Sequence, residues 1–270
     1  MLGIPPGPRL SIRRSIFIIF LSIFGVFGSA LSLLYGYRFL ELLHAESDHY
    51  TIKAVAQSCP EYEALPTSFF AEILGLSSDQ KINLYHFNVE HAQKRLLATH
   101  VIQKASIETV KPHTLLIDYT IRHPVAYIGD FANTAIDEEG ELFPATPYHT
   151  PKTLPEIYFG DKSYSEDEQI WGTKIDPERV ALALDLLSLF EPKELIRADL
   201  SHLDEPSLGK RELLLLLKDQ TLLRLTPKRY HRELANYRAL SETLLPKESK
   251  PTTIDLRVPQ VAYLQEPIHK

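Results

Sequence analysis

The chain has 270 residues, a mass of 30.8 kDa and a formal charge of −6 at pH 7, with 44% hydrophobic and 24% charged residues. This is the composition of a folded protein of about two domains and excludes global disorder. The acidic balance excludes nucleic acid as the main partner, because phosphate contacts need a basic surface. The single cysteine, Cys59, excludes an intrachain disulfide and any cysteine-built metal site.

A mean hydropathy of −0.13 averages over very unequal parts. Ser15 to Tyr37 are 23 residues without a charged side chain. As a helix they extend roughly 34 Å, enough to cross a hydrocarbon core of about 30 Å. Arg9, Arg13 and Arg14 precede the run; Arg38, Glu41, Glu46 and Asp48 follow it. The positive-inside bias then predicts a cytoplasmic tail over 1–14, a transmembrane helix over 15–37 and everything after it outside. A signal-peptide core runs about 7–15 residues, shorter than this, so the span is expected to be an uncleaved anchor. Residues 15–270 hold 26 of the 29 basic and all 35 acidic residues, a net charge of −9.

Beyond the span, 50–56 alternates weakly and predicts a strand. Thr67 caps a short helix through Phe70, Ile73 and Leu74 that stops at Gly75. Asn88 caps a second helix with Ala92, Leu96 and Leu97 on one face. Two alternating strands follow, around Ala105–Thr109 and Leu115–Ile121, joined by a turn at 111–114. The apolar face Leu115, Ile117, Tyr119 and Ile121 is expected to pack on the two helices. The order β-α-α-β-β suits one small α+β unit.

After Pro124 the texture becomes short strands between turns: 125–128, the turn Asp137-Glu138-Glu139-Gly140, and a proline-rich stretch from Pro144 to Pro155. Asp176-Pro177 starts a helix running through Val180, Leu184, Leu187 and Phe190. Strands are expected at 195–201, 211–217 and 221–226, the last two forming a hairpin. A helical stripe runs Tyr230, Leu234, Tyr237, Leu240 and Leu244, and Thr252 to Leu264 reads as one closing strand. The second unit, 125–264, is therefore expected to be mostly antiparallel β with two or more helices, ending in a flexible tail at 265–270.

Local chemistry is sparse. The eleven histidines are scattered, and no H-E-x-x-H, G-x-S-x-G, Walker or G-x-G-x-x-G motif occurs. Glu166-Asp167-Glu168 lacks EF-hand spacing and reads as a solvated loop. Cys59 has no basic neighbour to lower its pKa. The residues therefore offer no catalytic, cofactor-binding or metal site. An anchored enzyme of the cell wall, with a site assembled only in three dimensions, stands as the alternative to an interaction protein.

Several motifs, taken in order, resemble the FtsQ/DivIB family of bacterial cell-division proteins, over most of the chain. Asn83-Leu84 before the Asn88 helix resembles the family's turn in its POTRA domain. Pro112-x-Thr114-Leu115-x-Ile117 resembles the entry to the third POTRA strand, and Arg122-x-Pro124-Val125-Ala126 the junction into the β domain. Ile136-Asp137-x-x-Gly140-x-x-Phe143, Leu154-Pro155 with Gly160, and Ile254-Asp255-Leu256-Arg257 resemble later signatures. The chain departs at Ile121, where the family has a glutamate, at Thr99-His100, and in the longer loop from Ser58 to Pro66.

The resemblance implies a POTRA domain over 50–124 and a β domain over 125–264. It implies a non-catalytic, single-pass inner-membrane scaffold of the division septum. Its expected partners are FtsB-like and FtsL-like proteins, coupled to septal peptidoglycan synthesis, with no cofactor and no nucleic acid. By position, Arg257, Val258, Gln260, Val261 and Tyr263 would form an edge that adds a partner strand, with Arg211 on a strand nearby. Pro259 removes one donor and suggests a bulge or an edge. Arg257 reads equally as an ion-pair brace of the sheet.

Overall fold

The computed structural model describes residues 12–60, 64–76, 81–146, 152–160, 170–207, 209–243 and 252–265. Leu244, the Glu166–Glu168 run and the tails 247–251 and 266–270 lie outside the described residues.

Helix α1 (Ile12–Glu46) carries the charge-free run and continues past it. From Ile16 it is long and apolar enough to cross a membrane, and no residue of its most apolar stretch is buried by the rest of the chain. An unburied helix of this apolarity needs lipid or protein around it. It ends against the first folded unit. Asn83 donates its amide to the carbonyls of His44 (3.1 Å) and Ser47 (3.0 Å), giving each a second donor beside the backbone N–H it already accepts.

The first unit follows the expected order: β1 (Ala54–Ser58), α2 (Thr67–Leu74), α3 (Val89–Leu97), β2 (Ile102–Val110) and β3 (Thr114–Ile121). The strands are ordered β1-β3-β2, with β1 parallel to β3 and β2 antiparallel to it. Helix α2 stops where Gly75 turns left-handed at φ 69°, and Asn88 caps α3 by accepting from the His91 N–H. Thr67 is the first residue of α2 rather than its cap; that position falls to Pro66, which has no side-chain acceptor. Leu115, Ile117, Tyr119 and Ile121 are buried against Phe70, Leu74 and Leu96, as their alternation predicted. The first strand begins four residues later than the sequence suggests, because Asp48–Tyr50 form a 3-10 turn capped by Ser47.

The second unit is one nine-stranded sheet. Its strands are β4 (Ala126–Ile128), β5 (Thr134–Ile136), β6 (Leu142–Pro144), β7 (Glu156–Tyr158), β8 (Leu195–Asp199), β9 (Leu213–Leu217), β10 (Leu222–Leu225), β11 (Thr253–Asp255) and β12 (Tyr263–Gln265). The order is β12-β11-β10-β9-β8-β7-β4-β5-β6. The sheet is mixed but mostly antiparallel, as expected: five of its eight strand pairs are antiparallel, and β4·β7, β7·β8 and β10·β11 are parallel. Parallel pairs need long crossovers, and helices α4 (Pro177–Ser188) and α5 (Tyr230–Thr243) lie in two of the connections. Leu213, Leu215 and Leu217 alternate inward and join Val180, Leu186, Leu234 and Tyr237 in one core.

The two helices are tied at the surface. Asp185 accepts from Tyr230 Oη (2.5 Å) and faces His231 Nε2 (2.9 Å), and Arg238 donates to the carbonyl of Leu189. Burial, then the hydrogen bond to Asp185, pushes the Tyr230 phenol up to about 12. A folded-state pKa raised above the unfolded value of about 10 favours the neutral phenol. Its contribution is complete below that value and is lost as pH rises towards the folded one. Wild-type protein is therefore expected to lose stability between about pH 10 and pH 12 more steeply than Tyr230→Phe, by denaturant titration at each pH.

Candidate functional site

A sheet has two edges, and this one treats them differently. At one end β6 is wholly buried and carries Pro144, and the segment 170–174 runs along it. The Leu142 N–H donates to the Thr173 carbonyl and the Gly172 N–H to the Leu142 carbonyl, so this edge is already occupied. At the other end β12 pairs with β11 on one side only, and Tyr263, Leu264 and Gln265 are all exposed. Among the described residues, nothing pairs with its outer side.

The expected single strand from Thr252 to Leu264 is two strands folded back on each other. The reversal is a turn at Val258-Pro259-Gln260-Val261, closed by the Val261 N–H on the Val258 carbonyl (3.2 Å). Pro259 fixes φ and has no N–H to give a ladder, and Gln260 adopts φ 65°, the left-handed third position of such a turn. Val258, Gln260 and Val261 thus belong to the turn and Arg257 to the segment leading into it, none to an edge strand; of the predicted edge set, only Tyr263 lies on β12. Arg211 also stands outside a strand, two residues before β9, with its Nε held by the Glu205 carbonyl.

The structure nevertheless gathers most of these residues around that turn. On one side a cleft of about 670 Å³ is lined by Leu203, Arg211, Lys228, Arg257, Val258 and Tyr263. On the other, a groove of about 390 Å³ lies between the turn and α5, lined by Asn236, Leu240, Leu256, Pro259, Gln260 and Val261. Val258, Val261, Tyr263 and Leu264 are each 44–58% exposed, so this end of the sheet carries several exposed apolar side chains. Exposed apolar side chains beside an unpaired strand are a feature that most sheet edges avoid.

Arg257 is a brace in this structure. Its guanidinium binds both oxygens of Asp255 (Nε 3.0 and 3.2 Å, Nη2 2.8 Å), the Glu212 carboxylate (3.1 Å) and the Gly209 carbonyl (3.0 Å). Arg224 completes the lattice by binding Glu212 at 2.7 Å and standing 3.7 Å from Asp255, its register partner across the parallel β10·β11 pair. Burial alone would push the Asp255 carboxyl up, but the Arg257 hydrogen bonds outweigh it and hold the group below the usual carboxylate range. Sequence reading missed Arg224, Glu212 and Leu264; the first two become partners only through strand register, which single-strand alternation does not reveal.

The two folded units beyond α1 meet at a second cluster. Arg122, at the end of β3, places Nη1 2.5 Å from Asp137 and Nη2 2.7 Å from Glu141, with all three side chains no more than 14% exposed. Asp137 also accepts the N–H groups of Glu139 and Glu141, while Gly140 turns at φ 79°. His100 lies 4.0 Å from Glu141, and burial lowers its pKa. Both terminal nitrogens of the Arg122 guanidinium are paired and its buried Nε has no partner, so the cluster holds a joint without satisfying every polar atom in it. Among the described residues no cluster of His, Cys, Asp and Glu has the makings of a metal site.

No protein-family model matches this chain, and no curated protein is similar to it by sequence.

Proposed function

We propose that this chain is a non-catalytic, single-pass membrane scaffold of the bacterial division machinery, of the FtsQ/DivIB type. In this reading α1 anchors the protein with its N-terminus in the cytoplasm, the β-α-α-β-β unit is a POTRA domain, and the nine-stranded unit is the β domain. The protein sits at the division septum of the inner membrane. It binds FtsB-like and FtsL-like partners outside the cytoplasm and couples them to septal peptidoglycan synthesis.

One observation carries the reading: a nine-stranded sheet whose β6 edge is blocked and whose β12 edge is open and rimmed by Val258, Val261, Tyr263 and Leu264. An extended partner segment laid along β12 would gain backbone hydrogen bonds, with its alternate side chains entering the flanking grooves. The edge is only three residues long, which limits indiscriminate pairing and leaves specificity to the turn and its clefts. The element order of the first unit and its β1-β3-β2 sheet agree with the motifs that suggested the family.

Co-purification of the full chain from native membranes, with mass spectrometry of what accompanies it, tests the proposal. Division proteins with coiled-coil segments are the expected partners; a preparation enriched only in unrelated proteins counts against it. A reporter fused after Lys270 is expected to report an extracytoplasmic position, and a cytoplasmic signal would overturn the orientation.

A further inference from the structure

The first exterior unit does not stand off the end of α1; it reaches back along it. Asn83 grips the helix end at His44 and Ser47, and the Tyr50 carbonyl accepts the Leu84 N–H. Tyr85 lies against His44 (Oη to Nδ1 3.3 Å) and edge-on to Tyr50, 5.1 Å between ring centres. These contacts fix the orientation of the unit on the helix.

The β2–β3 turn follows. Lys111 Nζ sits 4.8 Å above the Tyr85 ring, and its charge also interacts with Tyr37. Tyr37, Glu41 and His44 share one helix face, so this bracket runs down α1 towards the membrane. At about 1.5 Å per residue, Tyr37 lies roughly 15 Å below Ser47. Tyr37 is where the charge-free run ends. The apolar surface of the helix continues past it, with Phe39, Leu40, Leu42 and Leu43 all about half exposed or more. The boundary between hydrocarbon and headgroups therefore runs alongside the turn. At its tip Val110 is 44% exposed, next to Lys111, on a protein whose exterior is otherwise acidic.

We propose that the β2–β3 turn is a second membrane contact, in which Val110 and Lys111 rest on the phospholipid headgroups of the outer leaflet beside the exit of α1. Lys111 faces lipid phosphate, Val110 sits at the level of the upper acyl chains, and Tyr37 and Tyr85 fill the interface between them, as aromatic side chains do at this depth. The first unit is then held at a fixed attitude to the bilayer, not free on a stalk. The proposal rests on α1 spanning the membrane.

The test uses the full chain in nanodiscs, in a Cys59→Ser background, with an environment-sensitive fluorophore at Phe27→Cys, Val110→Cys or Lys104→Cys. Phe27 reports insertion of α1. Lys104 lies on the same strand about 20 Å from the tip. Lipid-borne quenchers are expected to quench at positions 27 and 110 and to spare 104. Adding Lys111→Glu is expected to shift the bound-to-free ratio of the turn roughly fivefold or more in discs containing phosphatidylglycerol, the worth of one lysine at an anionic surface. Quenching at 27 without quenching at 110, equal quenching at 104 and 110, or indifference to Lys111→Glu overturns the contact. Absence of quenching at 27 as well would overturn the spanning of α1 itself.

Discussion

If the proposed function is right, introducing Val258→Lys and Tyr263→Lys together is expected to abolish binding of the FtsB-like partner while leaving the fold beyond α1 intact. Both side chains are roughly half exposed, so neither contributes much to the core, and lysine on a strand edge opposes strand addition. Buried interface anchors such as tyrosine are typically worth about 2 kcal/mol or more, so the pair is expected to weaken binding by about a thousandfold. Calorimetry of the detergent-solubilised full chain against the partner's extracytoplasmic segment measures this. Circular dichroism on the same sample checks the fold. An unchanged affinity would sink strand addition at β12. The turn residues divide the outcome further: Gln260→Ala is expected to weaken binding less than Tyr263→Lys, because Gln260 shapes the reversal and Tyr263 lies on the strand that a partner would pair with.

Arg122→Ala is expected to destabilise the joint between the two folded units by about 3–5 kcal/mol, the usual cost of stranding buried charges. The change removes one cation from between Asp137 and Glu141, both mostly buried. Trp171, the only tryptophan, bonds Thr134 and adjoins Gly172, which packs against His100, so its fluorescence follows unfolding near the joint. Denaturant titration read at Trp171 gives the loss. Adding Asp137→Asn and Glu141→Gln to Arg122→Met is expected to recover much of it, because no uncompensated charge then stays buried. A loss below about 1 kcal/mol in Arg122→Ala would mean that water reaches the cluster and the bridge is worth no more than a surface pair.

The sequence made several features legible for one reason: they depend on nearest neighbours. A charge-free run of 23 residues defines α1 whatever surrounds it. Asn88 and Asp176 cap their helices through N–H groups three residues on, and Gly75 ends α2 by its own backbone freedom. Alternation along Leu115–Ile121 named the face that is buried, since side chains of a strand point to opposite sides with period two.

Other features were not legible, because they depend on residues far apart in the chain. Arg122 and Asp137 belong to different sequence motifs, and only the packing of one sheet against the next hairpin shows that they bind each other. Thr252–Leu264 reads as one strand because its alternation survives on both sides of Pro259; the tertiary fold decides that the chain turns there, with β11 taking up a parallel partner in β10 and β12 folding back outside it. The order of residues alone determined that this protein carries an apolar, membrane-length helix ahead of a net acidic remainder. Which of two sheet edges stays open was decided by tertiary structure alone, because an edge is open only when no other part of the chain satisfies its backbone hydrogen bonds.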